Sequence, residues 1–241
     1  MIGIIGGTHI LEIDVLHHVR EEVIKTPYGI AEVDLGLIDG IEVVLIQRHG
    51  KKQNKPPHTI NHPANFYAFK KLGVKYIVGM GSVGCLKEHI KLPTLIVPDD
   101  YIDFFSSTTI FNDKLVHITP GFSEKVRRAL IVAGKGIPMI ENGIYFQTRG
   151  PRLETKAEIR VIKNWADCVG MTAASEATVA KELGLEYAVV CTMDNYAHGI
   201  KDVTIDYEEI RRKAKENAEL CLNVVGKAVK VIWDEYIDKK Y

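Results

Sequence analysis

The chain has 241 residues, of which 46% are hydrophobic, and its 31 basic residues balance its 31 acidic ones. This length and apolar content suit a single α/β domain, covering 1–241, with a well-buried core. The zero net charge gives no support for a nucleic-acid-binding protein, and no apolar run approaches the ~20 residues of a membrane span.

Strands and helices alternate along the sequence. Short apolar runs predict strands over 2–5, 29–35, 41–47, 76–80, 94–97, 140–148, 168–171 and 187–193. Helices are predicted over 62–72, 122–134, 155–164 and 173–183, and from an Asp206-x-x-Glu209 capping box to about Trp233. The proline-rich segment 50–63 predicts a long loop, and His17-His18 is more typical of a helix surface than of a ligand pair. This alternation predicts an α/β fold with a largely parallel or mixed sheet.

Glycine-rich or polar clusters fall at the ends of several predicted strands, where α/β proteins bind ligands. They are Gly6-Gly7-Thr8, Arg48-His49, Gly81-Ser82-Val83-Gly84, Gly150 to Thr155, Gly170-Met171-Thr172 and Asp194 to Gly199. Backbone amides, hydroxyls and a guanidinium are groups that bind phosphate. Each cluster also has a plainer interpretation, such as a tight turn, a solvated arginine or a carboxylate that favours a helix start. No Ser-His-Asp set and no metal-binding spacing is identifiable.

Taken together, these motifs resemble the trimeric purine nucleoside phosphorylase family, in its methylthioadenosine phosphorylase branch. The matching strings are Ile4-Ile5-Gly6-Gly7-Thr8, Arg48-His49-Gly50, Pro56-Pro57-His58-x-Ile60-Asn61, Ala64-Asn65, Gly150-Pro151-Arg152-Leu153-Glu154-Thr155, Gly170-Met171-Thr172 and Asn195-Tyr196-Ala197. They occur in family order over nearly the whole chain. The resemblance implies a mixed β-sheet with a distorted barrel-like core flanked by helices. It also implies phosphorolysis with inorganic phosphate as co-substrate, without metal or organic cofactor, in a homotrimer or a hexamer formed by two trimers.

The resemblance further implies roles for individual residues. The phosphate-binding set would be Thr8, Arg48, His49, Ser82 and Thr172, with Met171 holding the ribose. The base-binding set would be Leu153, Glu154, Asn195 and Ala197. Within that set the catalytic pair is Asn195, which would bond N7 and O6 of the purine, and Glu154, which would accept from N1–H. The 5′ end of the sugar would meet His117 from a neighbouring subunit, together with Tyr207 and Ile210.

The residues at positions 195 and 197 predict the base preference. Family members that cleave 6-aminopurines resemble one another in an Asp-x-Asp, where this chain has Asn195 and Ala197. Because a neutral amide can donate to O6 whereas a carboxylate would repel it, we predict 6-oxopurine nucleosides as substrates: inosine, guanosine or 5′-methylthioinosine, in purine salvage. Asp194 leaves a slipped register open, and that register would favour S-methyl-5′-thioadenosine phosphorylase activity.

Five positions depart from the family pattern. Gln53 stands where a histidine is common, Gly81 replaces a hydroxyl residue, Ser82 an alanine, Cys85 a serine and Leu153 a phenylalanine. These departures affect the phosphate geometry and the stacking on the base rather than the reaction class.

Two other function classes stay open on the residues alone. An NAD-dependent dehydrogenase would use the first glycine-rich turn, but the third glycine of Gly-x-Gly-x-x-Gly is missing. A non-catalytic nucleoside-binding protein would keep Glu154 and Asn195 but would not need phosphate donors such as Arg48. Four scattered cysteines without a Cys-x-x-Cys pair, and a first segment without a signal-peptide pattern, predict a cytoplasmic protein. We expect small molecules as partners, and neither nucleic acid nor membrane.

Overall fold

The computed structural model describes residues 1–7, 16–105, 108–201 and 207–238, without the side chains of residues 207 and 209–211. Its strands are β1 (Ile2–Gly6), β2 (His17–Thr26), β3 (Gly29–Ile38), β4 (Ile41–Gln47), β5 (Tyr76–Cys85), β6 (Thr94–Ile96), β7 (Asp100–Ile102), β8 (Met139–Ile140), β9 (Ile144–Gln147), β10 (Cys168–Gly170) and β11 (Glu186–Tyr196). Its α-helices are α1 (His62–Lys71), α2 (Glu124–Ala133), α3 (Lys156–Ile162), α4 (Ala173–Glu182) and α5 (Tyr207–Ile232). A short 3₁₀ turn occupies Pro57–Thr59, and a π-helical turn, Trp233–Ile237, continues α5.

The strands named above form one mixed sheet. Its main path runs β2-β3-β4-β1-β5-β10-β9-β7, and β11, β6 and β8 branch from it. The branch point is β5, whose first half pairs with β1 in parallel and whose last residues pair with β10 in antiparallel fashion. Along the whole of β5, β11 pairs in parallel on the other side. This branching means that the strands do not follow one another in a single linear order across the sheet.

Both faces of the central strands are buried under helices. In β1, Ile2 and Ile4 belong to the apolar cluster that includes residues of α2 and α5. Ile5 belongs instead to the cluster that includes residues of α1 and α4. Because successive side chains of a strand point to opposite faces, an apolar run such as that in β1 is typical of a strand covered on both sides. The core therefore has three layers, with the sheet in the middle.

Four predicted helices are confirmed within two residues at each end, as α1 to α4. The predicted strand 76–80 continues to Cys85, because β11 supplies backbone partners to Gly81 through Gly84. The predicted strand 140–148 is two strands, β8 and β9. The Asp206-x-x-Glu209 capping box lies outside the described residues.

The interpretation of His17-His18 as a helix surface is wrong, because both residues lie in β2. Most side chains of β2 are exposed and many are charged, so the strand has no apolar alternation that a sequence pattern could detect. Its partner β3 determines its conformation through an antiparallel ladder that runs from Thr26 opposite Gly29 to His17 opposite Leu37.

All four cysteines, Cys85, Cys168, Cys191 and Cys221, are free and buried. Burial raises the pKa of each thiol, that of Cys191 to about 12. In the part of the chain that the structure describes, no helix combines the length and the apolar character needed to cross a bilayer.

Candidate active site

A cavity of about 620 Å³ opens where β1, β4 and β11 end and where β5 bends past them. Nine predicted site residues line this single cavity: Arg48, His49, Ser82, Leu153, Glu154, Met171, Thr172, Asn195 and Ala197. They come from segments spread over most of the sequence. The parallel pairing of β1, β4, β5 and β11 brings together Arg48, Ser82 and Asn195, and the antiparallel pairing of β10 with β5 adds the residues that follow β10. Ligands in α/β proteins bind at this edge of the strands.

Arg48 is held by a buried carboxylate. Its Nε donates to Oε1 of Glu176 over 2.6 Å and its Nη2 donates to Oε2 over 2.9 Å, while Nη1 donates to the carbonyl of Met80 over 2.6 Å. Burial alone would lower the pKa of Arg48, but the Glu176 carboxylate reverses this and the pKa lies above its ordinary value. The edge of the guanidinium that would bind phosphate in bidentate fashion is therefore already paired.

Within the residues that the structure describes, one N–H of Arg48 Nη1 has no partner and remains for a ligand. Nη2 uses its second hydrogen in a longer contact, 3.4 Å, to the carbonyl of Ile5, so that four of the five donors have partners. A Cβ placed on Gly7 would lie 3.3 Å from Nη1, which shows that this nitrogen faces the glycine-rich turn after β1. A phosphate at that turn would meet a single aimed donor of Arg48.

Glu176 is fully buried in α4 and is the centre of a polar network. The hydroxyl of Tyr187 donates to its Oε2 over 2.5 Å, and Nδ1 of His62 lies 3.9 Å from its Oε1. Burial lowers the pKa of His62 to about 4, so His62 is neutral at physiological pH and Arg48 supplies the cation that balances Glu176. The network fixes Arg48 before any ligand binds.

His49 is oriented by its own loop. Its Nδ1 lies 2.8 Å from the carbonyl oxygen of Lys55, and since a carbonyl can only accept, Nδ1 carries the hydrogen. Burial lowers the pKa of His49, so the neutral ring predominates and Nε2 is then an acceptor. Without protonation, His49 offers phosphate an acceptor rather than the donor expected from the sequence.

The first N–H groups of α4 have side-chain partners. Those of Thr172 and Ala173 donate to the hydroxyl of Tyr145 over 3.2 and 3.4 Å. Those of Ala174 and Ser175 donate to Oε1 of Gln147 over 2.9 and 3.2 Å. The Thr172 hydroxyl makes no capping hydrogen bond and lines the cavity, so this hydroxyl is what Thr172 offers to a ligand.

Asp194 does not line the cavity and accepts three hydrogen bonds from neighbouring side chains. Ser82 and Thr192 donate their hydroxyls to its Oδ2, each over 2.7 Å, and Asn217 of α5 donates to its Oδ1 over 2.7 Å. Asp194 is buried and is not among the residues that line the cavity. Because the Ser82 hydroxyl donates to Asp194, the hydrogen of this hydroxyl is not available to phosphate.

Asn195 takes its position from a bulge in β11. The ladder with β5 passes from Met193 opposite Val83 to Asn195 opposite Gly84, which leaves Asp194 unmatched. Asn195 then lines the cavity, and its Nδ2 donates one hydrogen to the carbonyl of Tyr196 over 3.0 Å. Among the described residues, the second hydrogen of Nδ2 and the oxygen Oδ1 have no hydrogen-bond partner and remain for a ligand. The slipped register, with Asp194 in the site, does not occur.

Glu154 is a buried carboxylate with one occupied oxygen. Thr148 donates its hydroxyl to Oε1 over 2.6 Å, and His198 lies 3.1 Å from the backbone carbonyl of Glu154. Glu154 does not serve the start of α3, because Thr155 and Glu158 form a complete capping box there. The second carboxylate oxygen is left to accept a hydrogen bond in the cavity.

The profile of the Phosphorylase superfamily matches residues 1–230. The chain belongs to the phosphorylase superfamily. It is 66% identical to a probable 6-oxopurine nucleoside phosphorylase of Archaeoglobus fulgidus, over 99% of this chain and 100% of that one. It is 44% identical to a probable S-methyl-5′-thioinosine phosphorylase of Methanocaldococcus jannaschii, over 93% and 90%. Methylthioadenosine phosphorylase from Schistosoma mansoni, solved in complex with adenine, shares the fold with a TM-score of 0.89, at 24% identity over 96% and 91%.

The structure explains one of the five departures from the family pattern, the glycine at position 81. A Cβ placed on Gly81 would lie 3.0 Å from Sγ of Cys191, so glycine at position 81 avoids a tight contact that the thiol would have to relieve by a small shift. Leu153 lines the cavity with 39% of its surface exposed, and it offers an apolar face without an aromatic ring.

Four of the residues predicted for the site are not placed in the cavity by the described part of the structure. His117 is exposed and does not line it. Thr8 and the side chains of Tyr207 and Ile210 lie outside the described residues. Among the residues that are described, no group of three or more His, Cys, Asp or Glu side chains is arranged to hold a metal ion.

No role was predicted from the sequence for four residues that hold the cavity-lining side chains in place: Glu176, Tyr145, Gln147 and Thr148. Glu176 carried a signal, since it is a charged residue in a helix of small and apolar residues, Ala173–Glu182. Tyr145, Gln147 and Thr148 carried none, because they lie in or beside a strand whose partners come from distant parts of the chain.

Proposed function

We propose that this chain is a purine nucleoside phosphorylase that splits 6-oxopurine nucleosides with inorganic phosphate. The observation that carries the proposal is which of two neighbouring residues lines the cavity at the bulge of β11. A neutral amide, Asn195, lines the cavity beside Ala197, whereas the neighbouring carboxylate, Asp194, does not line it and accepts three hydrogen bonds from other side chains. An amide can donate to O6 and accept from N7–H of a 6-oxopurine.

Glu154 supports the same assignment. A 6-oxopurine carries a hydrogen on N1, and a carboxylate oxygen is its natural acceptor. Oε1 of Glu154 accepts from Thr148, which leaves the second oxygen as the acceptor that we assign to N1–H. The same N1 of a 6-aminopurine has a lone pair, which would be opposed by that oxygen.

In the proposed reaction the C1′–N9 bond breaks with its electron pair going to the purine, and a phosphate oxygen forms the new bond to C1′. The sugar becomes cationic before attack, while negative charge spreads over the base to N7 and O6 until N7 takes up a proton. Asn195 would stabilise the base at these two atoms. Donors aimed at developing charge are among the largest contributions to catalysis, and positioning phosphate below C1′ adds to them.

The other wall of the cavity supports phosphate binding. Nη1 of Arg48, which keeps one N–H without a partner in the described residues, faces Gly7, and Thr172 and Ser82 line the same cavity. Met171, beside Thr172, would contact the ribose. The products would be free hypoxanthine or guanine and ribose 1-phosphate, or its 5-methylthio analogue.

The 5′ substituent and the assembly belong to the same proposal. The relatives named for methylthioinosine favour a 5′-methylthio group as an accepted substituent. An exposed His117 is available to the neighbouring subunit of a homotrimer, or of a hexamer of two trimers, where it would complete the 5′ site with Tyr207 and Ile210.

The four free thiols favour a cytoplasmic location, because cysteines stay reduced in that compartment.

The test is release of free base measured by absorbance, with and without phosphate. The panel consists of inosine, guanosine and adenosine, with 5′-methylthioinosine and 5′-methylthioadenosine beside them. We expect phosphate-dependent turnover of the 6-oxopurine nucleosides. A clear preference for the adenine nucleosides would overturn the base assignment in favour of S-methyl-5′-thioadenosine phosphorylase activity. Binding without release of base from any of them would indicate a non-catalytic nucleoside-binding protein.

A further inference from the structure

Gln53 has an unusual environment for a polar residue. Both polar atoms of its side chain, Nε2 and Oε1, are buried, and neither has a hydrogen-bond partner within the described residues. Gln53 also has a φ of 51°, in the left-handed region that residues other than glycine seldom adopt. Two unfavourable features at one residue indicate a conformation that the surrounding structure imposes, and such residues are concentrated at ligand sites.

The loop that carries Gln53 is closed on itself. Lys55 N–H donates to the His49 carbonyl over 3.0 Å, and His49 Nδ1 donates back to the Lys55 carbonyl over 2.8 Å. Inside this closure the N–H of Gln53 donates to the carbonyl of Gly50 over 2.9 Å. The loop therefore holds Gln53 on the cavity that Arg48 and His49 also line.

A carboxamide presents a donor and an acceptor side by side. Hydrogen phosphate presents the complementary pair on one edge, since an unprotonated oxygen accepts while the P–OH oxygen donates. Sulfate has no proton at neutral pH, so the same amide would meet it with one favourable contact and one repulsive oxygen–oxygen contact. His49 offers a single ring nitrogen on the Gly7 side and cannot form this two-point pairing.

We propose that Gln53 is a further phosphate-binding residue, whose amide pairs through both its atoms with one edge of hydrogen phosphate and so selects it over sulfate. The proposal rests on the proposed function, because it places inorganic phosphate in the cavity beside Arg48 and His49. It assigns a role to a position where the chain departs from the family pattern.

The experiment compares the KM for phosphate with the inhibition constant of sulfate, at fixed inosine concentration and constant ionic strength. Gln53→Met keeps the side-chain length and removes both polar atoms. We expect the KM for phosphate to rise at least about tenfold, while the inhibition constant of sulfate changes less than about twofold. Gln53→Glu keeps the shape but removes the donor and adds charge, and we expect a larger rise in the KM for phosphate.

The control is Lys52→Met, which changes an exposed side chain in the same loop. At physiological salt this variant should keep both constants within about twofold, since exposed charges are screened. The proposal is overturned if Gln53→Met leaves both constants unchanged, or if both rise by the same factor. Should Gln53→Met fail to fold, the ratio of the two constants in Gln53→Glu decides in its place.

Direct binding separates this proposal from the proposed function. Calorimetry of the unmodified protein with inorganic phosphate alone and with sulfate alone needs no turnover. If no nucleoside is cleaved but phosphate binds more tightly than sulfate and Gln53→Met abolishes the difference, the function fails and the role of Gln53 stands. If base is released normally and phosphate and sulfate bind equally well, the role of Gln53 fails alone.

Discussion

The two walls of the cavity are built differently. The phosphate wall is the side with Arg48, where we propose that phosphate binds. There Arg48 uses four of its five donors on protein groups, and its charge is balanced by a fully buried Glu176. The base wall is the side with Glu154 and Asn195, where we propose that the purine binds, and within the described residues each of these side chains makes one hydrogen bond to the protein. The first wall is constrained by internal pairing, and the second keeps hydrogen-bonding capacity that would distinguish one purine from another.

This contrast predicts where substitutions affect stability and where they affect turnover. Removing a partner from a buried ion pair leaves an uncompensated charge in the core, so substitutions at the Arg48–Glu176 pair of the phosphate wall should act mainly on stability. Removing a group that awaits a ligand leaves no unpaired charge, so the base wall should respond mainly in rate. The predictions below test that division, beginning with the largest effect.

Glu176→Gln should lower the free energy of unfolding by about 3–5 kcal/mol, because Arg48 would stay buried without its counter-charge. Chemical denaturation measures the change. The matched control is Asp234→Asn, which breaks the exposed pair of Lys230 and Asp234 and should cost less than about 1 kcal/mol. An equal decrease in the free energy of unfolding in the two variants would contradict the conclusion that the buried Arg48–Glu176 pair matters more for stability than an exposed pair.

Asn195→Ala should lower the turnover of inosine about 100- to 1000-fold, because a donor aimed at the developing charge of the base is lost. Stability should change little, since Nδ2 makes only one contact, to the adjacent carbonyl. Asn164→Ala, at an exposed position after α3, is the control with normal kinetics. Turnover of Asn195→Ala within a few-fold of the unmodified protein would remove Asn195 from the catalytic pair.

His62 should make the phosphate wall sensitive to acid. Its pKa is about 4 in the folded chain and 6.5 in the unfolded reference, with burial as the main cause. Between pH 6.5 and pH 4, His62 binds a proton in the unfolded state but not in the folded state. This residue therefore lowers the free energy of unfolding as the pH falls from 6.5 to 4, by roughly 3 kcal/mol. Denaturation of the unmodified protein and of His62→Gln over this range isolates the effect. A stability difference between them that does not vary with pH would disprove it.

Thr148→Val should reduce kcat/KM for inosine by about tenfold, because the Glu154 carboxylate loses the hydroxyl that orients it. This is the smallest of the four effects, since Thr148 acts through Glu154 and the carboxylate itself remains. Thr148→Ser retains the hydroxyl and should restore most of the activity. A Ser variant as impaired as the Val variant would indicate that packing, rather than the hydrogen bond, matters at this position.

Much of the fold follows from local patterns in the sequence. The apolar run of β1 and the helical spacing of apolar residues in α2 can be read from neighbouring residues, and both elements were predicted from them. The exposed strand β2 was not, because its conformation depends on a ladder with β3 rather than on burial of its own side chains. The extension of β5 past Gly81 depends likewise on β11, which lies about a hundred residues further along the chain.

For the site, the sequence identified the groups that face the cavity but not the way they are held. Arg48 and Asn195 were found because motif order preserves them. The pairing of Arg48 with Glu176, and the bulge that separates Asp194 from Asn195, are tertiary features. They depend on how α4 and β5 pack against distant strands, and no spacing rule contains that information.

The burial of all four thiols has a practical consequence for studying this enzyme in solution. Thiolates, not thiols, react with alkylating agents and oxidants, and the raised pKa values keep these four groups protonated. Purification without reductant should therefore leave the native chain unchanged. A cysteine introduced at an exposed position, such as Lys52, would be the only site to accept a maleimide dye under native conditions, which allows fluorescence studies of the loop next to the cavity without first removing the natural cysteines.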